Sequence, residues 1–283
     1  MPIAVGIDTY ENTDGTSKLA MFHEMHGRTD IGAPTVLLSS GLGGAAHYWT
    51  PQIPALSENF RVIAYDQTGT GRSGGSLPAD YSIAHMAAEL AALLDDLNIP
   101  KTHFMGHALG GLVGLQLAAA HPERIDRLIL VNAWAKTHPH TLRCFAIRKN
   151  LLLNSGVEAY VKAQPLFLYP APFLADRQDW LIEQDEAGIA HFPPTETVLR
   201  RIQAIEAFDL TAAIPAITAK TLLIATRDDV LVPCTCSITL AGQLPDARLE
   251  LLGQGGHACN VTDPAGFNAT VSEFLLSPAG SAV

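Results

Sequence analysis

Six short apolar runs recur along the chain: Thr35-Val-Leu-Leu-Ser39, Arg61-Val-Ile-Ala-Tyr65, Thr102-His-Phe-Met105, Arg127-Leu-Ile-Leu-Val131, Thr221-Leu-Leu-Ile-Ala225 and Arg248-Leu-Glu-Leu-Leu252. None alternates cleanly with polar residues, so each reads as a strand covered on both faces, as in a mostly parallel sheet. Tyr81 to Leu97 carries apolar residues at helical spacing, and Leu109 to Ala120 is small, apolar and helix-compatible. Strands followed by crossover helices are the βαβ signature and predict an α/β fold.

The rhythm breaks between Ala133 and Leu210, where Pro165, Pro170, Pro172, Pro193 and Pro194 punctuate short helical pieces rich in Leu, Phe and Trp. The expected organisation is a core from residues 1–132 and 211–283, with a helical cap from 133–210 inserted after one strand. No repeat, low-complexity tract or long charge run interrupts it.

Composition narrows the field. With 283 residues, 48% hydrophobic, the chain can bury a large core. Its net charge of -10 argues against nucleic acid, which is held by clustered Lys and Arg. No apolar run reaches the roughly 18 residues that span a bilayer, and the N-terminus lacks a signal-peptide pattern, so a cytoplasmic protein without a membrane partner is expected. Cys144, Cys234, Cys236 and Cys259 are then reduced thiols, and the sequons at Asn260 and Asn268 are chance matches.

The most informative stretch is Phe104-Met-Gly106-His107-Ala108-Leu109-Gly110-Gly111, a strand end running into a small-residue helix. It has every feature of the nucleophile elbow G-x-S-x-G except the serine. Alanine offers no lone pair and no proton, so Ala108 rules out covalent catalysis from that position. Further on, Thr226-Arg-Asp228-Asp229-Val-Leu-Val-Pro233 puts two carboxylates after a strand. Asp229 is the expected acid partner and Asp228 the fallback. Gly255-Gly256-His257 then places an imidazole on a glycine-rich loop, completing the order elbow, acid, histidine. Asp229 would fix the tautomer of His257 and leave its other nitrogen to take a proton from water.

Ser39-Ser40-Gly41-Leu42-Gly43-Gly44 follows the first strand, where a loop completes an oxyanion hole. By analogy the donors are the amides of Leu42 and Leu109, with Gly41 and Gly43 allowing close approach; a plain turn is the competing reading. Asp66-Gln-Thr-Gly-Thr-Gly-Arg-Ser73 reads as an architectural bend. His121, His138, His140 and His191 lack ligand spacing, so neither a metal nor another cofactor is expected. Cys259, two residues from His257, is a weaker candidate nucleophile.

These residues resemble the α/β-hydrolase superfamily from Pro34 to Leu276. A narrower resemblance, to the D proteins of the pyrimidine utilisation (Rut) pathway, rests on Gly106-His-Ala-Leu-Gly110, Ala163-Gln-Pro-Leu-Phe-Leu-Tyr-Pro170, Tyr65-Asp-Gln67, Val232-Pro-Cys234 and Gly256-His-Ala-Cys-Asn-Val-Thr-Asp-Pro264. That family carries the same alanine at its elbow. The resemblance implies a hydrolase of uracil breakdown acting on carbamate or 3-aminoacrylate with ammonia release. The departures are Thr68, where the family pattern has arginine, and a longer N-terminal extension through Thr29, expected to cover part of the cap or an oligomer surface.

The leading expectation is therefore a serine-free hydrolase of a small molecule, monomeric or homodimeric, using a His257–Asp229 dyad. Two alternatives stay open: a non-catalytic binding protein on a hydrolase fold, and a serine esterase or C–C hydrolase carrying a Ser-to-Ala change at position 108.

Overall fold

The computed structural model describes residues 4–10 and 19–278. Its strands are β1 (Ala4–Tyr10), β2 (Leu19–Gly27), β3 (Thr35–Ser39), β4 (Arg61–Tyr65), β5 (Thr102–His107), β6 (Ile125–Val131), β7 (Lys220–Thr226) and β8 (Ala247–Leu252). They form one sheet in the order β1-β2-β4-β3-β5-β6-β7-β8. From β4 to β8 all neighbours are parallel, while β1 and β2 add on antiparallel beside β4. The six apolar runs are thus strands. The N-terminal extension holds two more that no apolar run announced, and they lengthen the sheet at its β4 side.

The helices are α1 (Ile53–Ser57), α2 (Ile83–Asp96), α3 (Leu109–Ala120), α4 (Pro139–Asn154), α5 (Gly156–Leu168), α6 (Ala171–Ala175), α7 (Gln178–Ala190), α8 (Thr195–Ala207), α9 (Thr235–Gln243), α10 (Cys259–Thr262) and α11 (Pro264–Leu276). Successive strand residues feed opposite faces of the sheet. Leu37, Ile63, Phe104, Leu130 and Leu223 pack with α2 and α3. Val36, Leu38, Val62, Met105, Ile129 and Ile224 pack with Trp49 and the α11 residues Phe267, Val271 and Phe274. Each such side chain is worth about 1.5–3 kcal/mol when removed from water, so a strand apolar on both faces needs a layer on each.

Helices α4 to α8 leave the sheet between β6 and β7 as one helical insertion. Its two ends are joined: Leu210 N–H donates to the Ala135 carbonyl at 2.8 Å, and Lys136 pairs with Asp209. The bend after β4 is architectural, because Asp66 accepts from the main chain of Ala46 and Arg72 and from the Arg72 guanidinium. The loops after β3, β5, β7 and β8 all leave carboxyl ends of parallel strands, the edge where open α/β sheets bind ligands.

Candidate active site

Strand β5 ends at His107 and α3 begins at Leu109, which leaves Ala108 alone to turn the chain. It does so at φ 47° and ψ -112°, a conformation costing a non-glycine residue about 1–3 kcal/mol. Two hydrogen bonds hold it there, from Ala108 N–H to the Val131 carbonyl and from Leu112 N–H to the Ala108 carbonyl. The flanking glycines are sterically required. A Cβ on Gly106 would lie 2.3 Å from the Gly110 carbonyl oxygen, and one on Gly110 would lie 2.1 Å from that of Ser39.

The two carboxylates after β7 have separate partners. Asp229 Oδ2 lies 2.7 Å from His257 Nδ1, and its Oδ1 accepts the N–H groups of Leu231 and Val232, each at 2.8 Å. With the carboxylate accepting, Nδ1 carries the hydrogen and Nε2 is the basic nitrogen. Asp228 instead accepts the N–H groups of Gly256 at 2.9 Å and Gly255 at 3.1 Å, pinning the turn ahead of the histidine. The fallback acid is therefore a loop anchor.

The His257 loop is fastened to the elbow through its own main chain. The His257 carbonyl accepts from His107 Nε2 at 2.8 Å and Asn132 Nδ2 at 2.6 Å. Donation from Nε2 makes His107 an Nε2–H tautomer, and its ring stacks on Tyr48. Burial, reinforced by the neighbouring imidazole of His257, pushes the His107 pKa well below the usual histidine range and keeps it neutral. Beyond His257, Asn260 is latched by Tyr48 and Gln52. The insertion also touches this loop. Ala258 N–H donates to the Leu168 carbonyl at 3.0 Å, and a Cβ on Gly256 would lie 2.8 Å from that carbonyl oxygen and from Pro170.

The glycine-rich loop after β3 packs on the elbow. A Cβ at Gly41 would lie 3.1 Å from His107 Nδ1, so a side chain there would crowd that ring. Leu42 is half-buried, and Leu109 occupies the first position of α3, where a helical N–H has no intrahelical acceptor. Gly43 is exposed with open space where a side chain would start, so nothing steric demands glycine there.

Ala108, Asp229 and His257 are all buried. Two surface grooves, one lined by Phe173, Arg177, Trp180, Val261, Thr262 and Pro264 and one by residues 209–213, are not lined by any of the three. Burial raises the Cys259 thiol to about 12, which removes its thiolate as a nucleophile near neutrality. Among the described residues, no three His, Cys, Asp or Glu side chains are grouped to hold a metal ion, and no helix is long and apolar enough to cross a membrane.

The α/β-hydrolase fold family model matches residues 34–264, a span that contains the elbow, Asp229 and His257. A protein of Pseudomonas syringae pv. syringae named "Putative carbamate hydrolase RutD" is 54% identical over 255 residues, covering 90% of this chain and 98% of its own. One of the same name from Agrobacterium fabrum is 53% identical over 256 residues, with the same coverage. The chain belongs to the RutD family of α/β-hydrolases. Among solved structures, the enol-lactonase of Burkholderia xenovorans superposes with a TM-score of 0.83 at 28% identity, covering 92% of this chain and 97% of its own. A hydrolase of Pseudomonas aeruginosa gives 0.83 at 29%, covering 96% and 98%. The RutD resemblance first seen in five short motifs thus extends along most of the chain.

Several residues that build this site escaped the sequence reading. His107 stood inside the elbow motif without a role, and Asn132 closed a strand beside it. Asn132 takes a positive φ of 49°, and asparagine is among the few non-glycine residues that tolerate one, which is the signal that could have marked it.

Proposed function

We propose that this chain is a hydrolase of pyrimidine breakdown that acts on a small C–N compound, carbamate or 3-aminoacrylate, and releases ammonia without a covalent intermediate. The observation that carries the reading is the buried 2.7 Å pair of His257 and Asp229, on loops fastened through the His257 carbonyl to His107 of an elbow whose central residue is Ala108. A placed base and an elbow without a nucleophilic side chain call for water as the nucleophile. The names of the RutD relatives supply the substrate class.

In this scheme His257 Nε2 takes a proton as a water oxygen bonds to the electrophilic carbon. With carbamate, the carbonyl electron pair moves to oxygen and is received by the N–H groups of Leu42 and Leu109. With the imine tautomer of 3-aminoacrylate, the pair moves to nitrogen and those amides hold the substrate carboxylate. The imidazolium, oriented by Asp229, then returns its proton to nitrogen: the carbamate adduct expels ammonia and leaves bicarbonate, whereas the imine adduct becomes a neutral carbinolamine, whose hydroxyl proton His257 takes and delivers to nitrogen as the C–N bond breaks and the oxygen pair closes the aldehyde carbonyl. Main-chain dipoles at Leu42 and Leu109 suit a small anion even in an acidic protein, because local N–H groups outweigh distant net charge. Both substrates are chemically labile, so the modest catalysis left to a site without a nucleophile is sufficient. Residues 133–210 serve as the cap over the core built from 1–132 and 211–283, and the enclosure of Ala108 and His257 favours reactants of a few atoms.

The test follows ammonia release from freshly generated 3-aminoacrylate and from carbamate. His257→Ala is expected to return the rate to the uncatalysed value. Acceleration equal to that of the wild type would remove the dyad from the mechanism.

A further inference from the structure

The loop between β3 and Gly44 is held by its carbonyl groups, two of them by one side chain outside the catalytic set, while the Gly41 carbonyl also accepts from Gly44 N–H at 3.0 Å within the turn. Gln67 is 1% exposed. Its Nε2 donates to the Ser40 carbonyl at 2.9 Å and to the Gly41 carbonyl at 3.3 Å, while its main-chain N–H donates to the Gly44 carbonyl at 2.7 Å. Arg201, fully buried on α8 of the insertion, donates from Nη1 to the Leu42 carbonyl at 3.3 Å and from Nη2 to the Thr68 carbonyl at 2.8 Å. The two side chains meet at Gly44, where a Cβ would lie 2.6 Å from Arg201 Nη1 and 3.1 Å from Gln67 Oε1.

Peptide planarity turns this into a statement about donors. In a trans peptide the carbonyl of one residue and the N–H of the next point to opposite sides. Drawing the Gly41 carbonyl onto Gln67 therefore turns the Leu42 N–H away from Gln67, and drawing the Ser40 carbonyl there does the same to the Gly41 N–H. Successive N–H groups turned to one side make an anion-binding concavity. The amide of Gln67 cannot be flipped, since Oε1 would then face two carbonyl oxygens. As placed, Oε1 is buried without a hydrogen-bond partner. An apolar side chain of similar size would avoid that cost, so the polar group answers to the carbonyls it holds.

We propose that Gln67 is a positioning residue of the anion hole, holding the Ser40 and Gly41 carbonyls so that the Leu42 N–H is presented to the reacting oxygen or carboxylate, with Arg201 tying the insertion to the same loop. The proposal rests on the reading of Leu42 as a donor. Its test uses the full chain and freshly generated 3-aminoacrylate. Gln67→Leu removes the donor, and Gln67→Glu keeps the shape but sets carboxylate oxygens against the carbonyls. Both are expected to lower kcat/KM about 10- to 100-fold. Replacing Leu42 by its α-hydroxy acid analogue, which exchanges the N–H for an ester oxygen, is expected to cause a similar loss. Adding Gln67→Leu to that protein is expected to cost nothing more, because both changes act through one donor. Losses that multiply, or Gln67 variants within about twofold of wild type, would overturn the proposal. Should the wild type itself fail to accelerate ammonia release, the functional reading has failed instead, and the clamp is then judged by a crystal structure of Gln67→Leu. An unmoved Leu42 peptide there would refute it, and a rotated one would uphold it.

Discussion

His107 and His257 meet twice: the Nε2 of the first donates to the main-chain carbonyl of the second, and their rings lie 4.6 Å apart. Only one of the two imidazoles is then available for proton transfer, since burial holds His107 neutral and its one hydrogen is committed. His107→Gln, which keeps a donor, is expected to leave the shape of the pH–rate profile unchanged. His107→Leu is expected to lower stability by about 1 kcal/mol in urea unfolding, the value of one lost hydrogen bond. A change in profile shape for His107→Gln would make His107 a second titrating participant.

In the proposed mechanism Asp229 acts through the tautomer it imposes on His257. In Asp229→Asn the amide oxygen takes over the N–H groups of Leu231 and Val232, and the amide nitrogen then faces His257 Nδ1 as a donor. The ring hydrogen moves to Nε2, where the base was needed. Ammonia release is expected to fall about 10²- to 10⁴-fold with little change in the melting temperature. An active Asp229→Asn protein would show that the carboxylate is structural.

Ala108→Ser tests whether the elbow keeps its reactive geometry. The backbone at this position is already in the strained turn, and His257 is tied to the neighbouring residue. The variant is expected to be labelled covalently by a fluorophosphonate and to hydrolyse p-nitrophenyl acetate with a burst, whereas the wild type does neither. Absence of labelling would mean that His257 Nε2 does not reach the elbow.

Glu89 gives a pH dependence of stability. Tyr81 donates to its Oε2 at 2.9 Å, yet burial dominates and raises the carboxyl from 4.5 to about 7. The folded protein thus keeps a proton over a range in which the unfolded chain has lost it. Unfolding free energy is expected to decline as pH rises from about 4.5 to about 7 and then to level off. Glu89→Gln is expected to gain on the wild type between those limits. A constant gap in urea unfolding across the range would contradict the burial effect.

Local patterns carried the sequence reading far. Continuous apolar runs marked the six strands from β3 to β8, and glycines around Ala108 marked a turn that only glycines fit. Of the two carboxylates after β7, Asp229, four residues before Pro233, is the one hydrogen-bonded to His257. Long-range partners left no local trace. Nothing near Asn132 or Gln67 announces the carbonyl each one holds, because those carbonyls belong to other loops. Arg201 reads as an ordinary helical charge, yet it is fully enclosed and reaches the carbonyl of Thr68. Strands β1 and β2 were missed because no continuous apolar run marks them and one face of an antiparallel strand can be polar.

The hydrogen bond from Ala258 to Leu168 joins the helical insertion to the residue after the base. Any swing of the α5 end that widens a mouth toward Ala108 must either break this bond or drag the imidazole with it. While that bond holds, the position of the insertion and the setting of the imidazole are a single variable.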